Sequence, residues 1–202
     1  MKNKISLVFA AISWFAVIAQ YYLMVQNSDK EITEITIRFF SYFTILTNSL
    51  VAVYFSMVFL SKENTNSFVY KPGSLTALTV YITIVGLVYQ LVLREIWEPT
   101  GLQKVVDELL HSVNPLLVIC FWYFYEEKQK VKWSALSSWL LYPLIYLFYI
   151  LLRGSVSDFY PYPFVDVNAL GIGKVLLNSL VLMVVFIGTA ALFIFVGKKI
   201  KG

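Results

Sequence analysis

"GIGKVLLNSLVLMVVFIGTAALFIFV", residues 171–196, is a long apolar run in which Lys174 is the single charged residue. About 20 predominantly apolar residues are enough for an α-helix to cross a hydrocarbon core of roughly 30 Å. The run therefore predicts a transmembrane helix, and the fold of the whole chain is expected to be that of a membrane protein.

Five further stretches are long and apolar enough to be membrane spans. With residues 171–196 included, the six predicted spans are residues 5–25, 37–60, 75–93, 105–125, 135–152 and 171–196. The composition agrees, because 59% of the residues are hydrophobic and 14% are charged, whereas soluble proteins carry about a quarter charged residues. We therefore predict an all-α integral membrane protein, a bundle of six transmembrane helices that forms a single domain over residues 1–202.

Basic residues are divided unevenly between the two ends of this predicted bundle. With the N-terminus in the cytoplasm, the cytoplasmic end receives Lys2, Lys4, Lys62, Lys71, Lys128, Lys130, Lys132, Lys198, Lys199 and Lys201. The opposite end receives only Lys30, Arg38, Arg94, Lys104, Arg153 and Lys174. The positive-inside rule then predicts that both termini are cytoplasmic, and we expect the membrane to be that of a bacterial cell. Attraction of the lysines to anionic lipids explains the net charge of +4, so no nucleic-acid partner is predicted.

The second predicted span carries polar side chains that lipid would reject. They are Arg38, Ser41, Thr44 and Asn48, with Thr47 at the edge of the group. Spacings of three or four residues place the first four on one face of a continuous helix. Serine, threonine and asparagine in membrane helices often only bond to neighbouring helices. An arginine in the same stripe favours a site, because intramembrane arginines usually face the bundle interior.

The fourth predicted span begins with "DELLHSVNPLL", residues 107–117, which holds His111, the only histidine of the chain. At a rise of 1.5 Å per residue, Thr44 lies roughly 12 Å below the outer start of its span and His111 roughly 6 to 10 Å below the start of its own. The two side chains are therefore expected in one layer.

Two residues that follow His111 favour an opening in the bundle. Asn114 comes one helical turn later, and Pro115 frees a backbone carbonyl, as expected where a helix bends. We expect one cavity, open toward the outer leaflet, to be lined by Arg38, Thr44, His111 and Asn114.

A neutral imidazole beside a hydroxyl can turn an alcohol into a nucleophile, because the ring takes the proton as the oxygen attacks. The alternative is that His111 is a buried histidine bonded to a neighbouring helix, and the spacing alone leaves both interpretations open.

Aromatic residues are concentrated in the loop "DFYPYPFVDV", residues 158–167. Tyr160, Tyr162 and Phe164 are typical of an aromatic belt at the depth of the lipid headgroups. The same residues would also suit a cap over a cavity, and the sequence favours neither arrangement.

Three motifs resemble a known family: "YFTILTN" at residues 42–48, "LLHSVNPLL" at residues 109–117 and "YPYPF" at residues 160–164. They resemble the prokaryotic six-transmembrane-helix proteins related to the androgen-induced-gene family. Animal members of that wider group are integral membrane hydrolases that use a threonine and a histidine to cleave fatty acid esters of hydroxy fatty acids. The resemblance covers nearly the whole chain in the number of spans, although its motifs are short.

The resemblance implies that Thr44 is the nucleophile and His111 its base. Thr47 is also preceded by leucine and competes with Thr44 for the family position. This chain lacks the second histidine that directly precedes the histidine in the animal pattern, so the identity of the substrate does not carry over with the pair.

We therefore expect a membrane-embedded hydrolase of lipid esters that needs neither a metal nor a cofactor. Its partners would be membrane lipids and a lipid-like ester substrate. Substrate-binding residues would be Arg38, Thr47, Asn48 and Asn114, and Asn48 or Asn114 would polarise the oxyanion. Two other classes remain open: a protein that binds or transports a lipid or small molecule without catalysis, and a scaffold or sensor.

Overall fold

The structure, a computed structural model, describes residues 2–61 and 68–200. Within these ranges it contains ten α-helices and no β-strand. The helices are α1 (Lys2–Gln26), α2 (Ile32–Phe39), α3 (Phe43–Leu60), α4 (Ser74–Val88), α5 (Gly101–Glu108), α6 (Asn114–Tyr125), α7 (Ala135–Trp139), α8 (Leu141–Ser157), α9 (Val167–Leu170) and α10 (Ile172–Lys199). Two π-helical turns, Tyr89–Leu93 and Leu109–Val113, continue α4 and join α5 to α6. Lys62 and Lys201, two of the predicted cytoplasmic lysines, lie outside the described residues.

Six helical segments among the described residues are long and apolar enough to cross a membrane, which confirms the predicted number. They are Lys2–Gln26, Phe43–Leu60, Ser74–Leu93, Gly101–Tyr125, Ala135–Ser157 and Ile172–Lys199. The apolar runs therefore located the long helices closely, because both length and composition are set by the same requirement for burial in an apolar surrounding.

The second predicted span was wrong in one respect. A helix beginning at residue 37 was expected, but α2 ends at Phe39 and α3 begins at Phe43. The hydroxyl of Tyr146, on α8, fills the break: it donates to the carbonyl of Ser41 at 2.8 Å and accepts the N–H of Phe43 at 3.2 Å. A distant residue therefore satisfies the backbone groups that the break exposes.

This break changes where the polar stripe lies. Arg38 belongs to α2, whereas Thr44 lies in the first turn of α3 rather than eight residues inside a continuous helix. The four residues therefore do not share one helical face, and the depth argument for Thr44 was wrong, although its proximity to His111 does not depend on it.

The helices α3 and α4 form the most buried part of the bundle. The helix α1 packs on α3, while α4 lies against α3, α6 and α10. The outer helices α1, α8 and α10 expose mainly apolar side chains, such as Phe148 on α8, which is 81% exposed.

Helix α8 is held against α3 chiefly by tyrosine hydroxyls. Tyr142 bonds to Thr47, Tyr146 fills the break before α3, and Tyr149 bonds to Ser41. Spacings of four and three residues place these tyrosines on one face of α8.

Candidate functional site

A cavity of about 630 Å³, the main cavity, lies at one end of the bundle. Its walls come from residues 20–30, 35–45, 89–97, 103–111 and 159–163. Because each of these segments lies at or near a helix end, the cavity faces the loops rather than the middle of the bundle. Cavities of this size hold drug-sized or lipid-sized ligands.

Thr44 lies on the wall of the main cavity, in the first turn of α3. Its backbone N–H points toward the hydroxyl of Tyr162 at 3.2 Å. The N-terminus of an 18-residue helix carries a partial positive charge. Negative charge that develops on or beside the Thr44 oxygen is therefore stabilised by the position of this residue in the helix.

His111 reaches Thr44 from the π-helical turn between α5 and α6. Its Nε2 lies 3.4 Å from the Thr44 Oγ1. Its Nδ1 faces two acceptors, the backbone carbonyl of Asp107 at 2.9 Å and the Asp107 carboxylate oxygen Oδ1 at 3.3 Å. Because both neighbours of Nδ1 are acceptors, the proton of a neutral ring belongs on Nδ1, which leaves the lone pair of Nε2 for Thr44.

The His111 ring is fixed from its face as well as from its edge. Tyr89, in the π-helical turn after α4, stacks on it with ring centroids 4.1 Å apart and planes 12° apart. Both rings of this stack come from π-helical turns, which occur frequently at functional sites. The extra residue in each turn displaces these side chains from the positions that a regular helix would give them.

Asp107 is a site residue that the sequence reasoning missed. It lines the main cavity, it is 5% exposed, and its Oδ2 makes no hydrogen bond among the described residues. The Tyr89 hydroxyl lies close enough to the carboxylate to interact with it electrostatically. The signal was present, because residues four apart, such as Asp107 and His111, share a helical face.

Tyr162 is the second residue whose place in the site was not predicted. Its hydroxyl lies 3.3 Å from the Thr44 Oγ1 and accepts the Thr44 N–H. Burial raises the pKa of Tyr162 to about 12, so the hydroxyl keeps its proton near neutral pH and can donate it in a hydrogen bond. The loop of residues 158–167 therefore contributes wall residues to the cavity, as a cap would.

Asn48 and Asn114 lie beneath the main cavity and not on its wall, contrary to the prediction for Asn114. The Asn48 side-chain amide donates to the carbonyls of Thr44 and Leu110. Asn114 donates to the Asn48 side chain at 2.7 Å and accepts from Ser13 at 3.2 Å. The two asparagines therefore join α1, α3 and the histidine-bearing segment, and neither lines the cavity in which an oxyanion would form.

Thr47, the alternative nucleophile, is placed away from His111. It is fully buried, its hydroxyl bonds to Tyr142 at 3.1 Å, and it does not line the main cavity. A shift of three residues along α3 turns the side chain toward α8, because each residue rotates by about 100° around a helix.

Arg38 lies on the wall near the mouth of the main cavity. Its guanidinium pairs with Glu34 at 2.6 Å and stacks over the Phe159 ring at 4.2 Å. Arg153 also pairs with Glu34, at 3.2 Å. The hydrogen bond from Arg38, assisted by the positive charges of both arginines, holds the pKa of Glu34 below its ordinary value of 4.5. Two arginines beside one glutamate leave a net positive charge at the mouth.

No protein-family model, no curated protein and no solved structure matches this chain.

Proposed function

We propose that this protein is a membrane-embedded hydrolase of lipid esters, with Thr44 as nucleophile and His111 as base. The observation that carries the proposal is the line of contacts from Thr44 Oγ1 through the His111 ring to the Asp107 carboxylate, on the wall of a cavity of about 630 Å³. Nucleophile, base and a third group that orients the base are the parts that acyl transfer requires. The contact of 3.4 Å is longer than a short hydrogen bond, as is common before substrate binds.

Acylation begins when the Thr44 oxygen attacks the ester carbonyl carbon. Its proton passes to the Nε2 of His111, and the carbonyl oxygen becomes an oxyanion. The Tyr162 hydroxyl, which accepts the Thr44 N–H, has its own proton available for that oxyanion. Collapse of the intermediate breaks the bond to the alcohol, which leaves with the proton from Nε2, and an acyl ester remains on Thr44.

Deacylation repeats these steps with water in place of Thr44. His111 takes a proton from the water as its oxygen attacks the acyl carbon, and then returns the proton to the Thr44 oxygen as the fatty acid leaves. Throughout, Asp107 holds the Nδ1 proton and stabilises the imidazolium that forms twice in each cycle.

The surroundings of the site favour a lipid as the substrate. The six long helices carry apolar side chains on their exposed faces, and we infer that these helices span a membrane with the main cavity toward its outer leaflet. A substrate that diffuses within the leaflet then reaches the loop end of the bundle. The resemblance to the androgen-induced-gene group points to the same chemistry, and fatty acid esters of hydroxy fatty acids are the first compounds to test.

The test is ester hydrolysis by the purified full chain in lipid nanodiscs. The substrates would be p-nitrophenyl esters of increasing chain length and one fatty acid ester of a hydroxy fatty acid. We expect Thr44→Ala and His111→Ala each to abolish turnover, and the double variant to lose little more, because residues that act as one unit are non-additive. Thr47→Ala is the matched control, since it removes a hydroxyl one turn away that contacts Tyr142.

Two results would contradict the proposal. Turnover that survives Thr44→Ala but disappears with Thr47→Ala would identify Thr47 as the nucleophile. No hydrolysis of any ester by the wild-type chain would leave the main cavity as the binding site of a non-catalytic lipid-binding protein.

A further inference from the structure

Thr44 lines two cavities, and the mechanism proposed above involves only the main cavity. The second, the side pocket, has a volume of about 80 Å³ and lies between α4, α8 and α10. Thr44 and Tyr162 belong to the walls of both cavities. A molecule whose reacting carbon sits at Thr44 can therefore extend in two directions.

The side pocket is suited only to an apolar group. Most of its lining is aliphatic or aromatic, including Ile84, Val85 and Met183. Apart from Thr44 and Tyr162, which it shares with the main cavity, its polar members are already engaged. Ser179 donates to a carbonyl of its own helix, and the Tyr146 hydroxyl fills the break before α3. Beyond these two shared residues the pocket offers no free polar partner, so it does not hold ordered water well but accepts hydrocarbon.

His111 decides which half of an ester lies in which cavity. The departing alcohol must receive its proton from His111 Nε2, and His111 lines the main cavity but not the side pocket. The alcohol half must therefore lie in the main cavity. The acyl chain, on the other side of the carbonyl carbon at Thr44, is then directed into the side pocket.

We propose that the side pocket is the acyl-binding site of the enzyme and holds the first carbons of the acyl chain; this rests on the proposed hydrolase function. About 10–15 Å³ of such volume holds one water-sized group, so 80 Å³ accommodates roughly the first six carbons of the chain. Later carbons pass the half-buried Leu147 and Met183, between α8 and α10. The larger main cavity leaves the alcohol half less restricted.

The first arm of the test compares acyl chain lengths in two tryptophan variants of α10. Met183→Trp fills the side pocket, whereas Val184→Trp, the control, adds the same ring at the next residue, which is 61% exposed and lines neither cavity. We expect Met183→Trp to lower kcat/KM for p-nitrophenyl octanoate by about 10- to 100-fold and for the acetate ester by less than about threefold, because a change of one methylene in a hydrophobic pocket already changes kcat/KM by about 10- to 200-fold. Val184→Trp should change neither.

The second arm does not depend on turnover. An octanoyl amide with a diazirine at carbon 6 is photolysed with the full chain in nanodiscs, and its adducts are located by mass spectrometry. We expect adducts on Ile84, Val85 or Leu182, absent in Met183→Trp and retained in Val184→Trp. Adducts in the side pocket without any ester hydrolysis would uphold the acyl site and reject the hydrolase. Hydrolysis with an unchanged chain-length profile in Met183→Trp, and adducts only elsewhere, would reject the acyl site and leave the hydrolase standing.

Discussion

At the scale of single residues, the carboxylate of Asp107 has two possible roles: it orients His111, or it is a buried charge with no bearing on catalysis. Its Oδ1 lies 3.3 Å from the His111 Nδ1, but the backbone carbonyl of the same residue also accepts that proton, at 2.9 Å. The tautomer of the ring therefore survives loss of the carboxylate, whereas stabilisation of the imidazolium does not.

We accordingly expect Asp107→Asn to lower kcat by about 10- to 100-fold, less than a full loss of the base, which contributes 10²–10⁴. KM should stay nearly constant, because the carboxylate acts on the proton transfer and not on substrate binding. Steady-state kinetics of the purified variant measures this split. The thermal unfolding temperature should hold or rise, since a buried carboxylate is costly. A rise in KM at constant kcat would place Asp107 among the substrate contacts instead.

The hydroxyl of Tyr162 is tested by Tyr162→Phe, which keeps the ring but removes the group 3.3 Å from the Thr44 oxygen. If this hydroxyl donates to the oxyanion, kcat should fall by about 100-fold, the usual effect of losing one such donor. Tyr160→Phe, on the same loop, is the control and should leave kcat unchanged. Equal activity of the two variants would exclude Tyr162 from the oxyanion site.

The local sequence pattern cannot decide whether Thr44 or Thr47 is the nucleophile. Both threonines follow a hydrophobic residue in the same polar segment, and nothing in that local pattern separates them. The choice depends on the side chains that approach from elsewhere in the chain, His111 for Thr44 and Tyr142 for Thr47. Asp107, by contrast, was accessible from its spacing of four residues to His111.

At the scale of helices, the approach of α4 to the histidine-bearing segment depends on Gly86. A Cβ at this position would lie 3.2 Å from the backbone carbonyl oxygen of His111 and 3.4 Å from Pro115. The contact with the carbonyl oxygen is tighter than nine in ten contacts that real Cβ atoms make, and a backbone oxygen cannot rotate away. The absent side chain thus lets α4 carry Tyr89 close enough to stack on His111.

Gly86→Ala should therefore destabilise the protein by about 1 kcal/mol, because overpacking costs about 1–3 kcal/mol and the better helix propensity of alanine recovers less than that. Gly188→Ala, on α10, should instead stabilise the protein, because a Cβ at this position would have no other heavy atom within 4 Å. Thermal unfolding in detergent compares the two. A stabilising effect at Gly86 would mean that the segments separate easily and that the stack is not held by this contact.

The division of the second span into α2 and α3 could not be read from its own residues. Residues 37–43 contain neither proline nor glycine, the usual breakers of a helix. The break is stabilised from α8, where the Tyr146 hydroxyl bonds on both sides of it. Local propensity describes a segment by itself, so a break that depends on a residue about a hundred positions away remains hidden.

At the scale of the whole molecule, the number and location of the long helices followed directly from hydrophobicity. That part of the fold is predictable because it reflects only length and composition. Which helices lie inside is not, since α3 and α8 are similarly apolar yet differ greatly in burial. The main cavity depends on that packing and on the connections between helices that line it, which include residues 27–30, 96–97 and 159–163.

The division of basic residues, ten against six, predicts that both termini are cytoplasmic and that the main cavity opens on the other side of the membrane. An alkaline phosphatase fused after Gly202 should be inactive in a bacterial host, while the same enzyme inserted after Asn168, in the loop end of the bundle, should be active. An active fusion after Gly202 and an inactive insertion after Asn168 would mean that the main cavity opens toward the cytoplasm; the proposed chemistry would be the same.

Whether Thr44 is the nucleophile is decided by identifying the atom that reacts with a covalent probe. A long-chain fluorophosphonate is incubated with the full-length protein in nanodiscs, and the modified peptide is sequenced by mass spectrometry. We expect one phosphonyl adduct on the Thr44 oxygen, prevented by His111→Ala and unaffected by Thr47→Ala. An adduct on another residue, or none while the protein hydrolyses esters, would contradict this expectation.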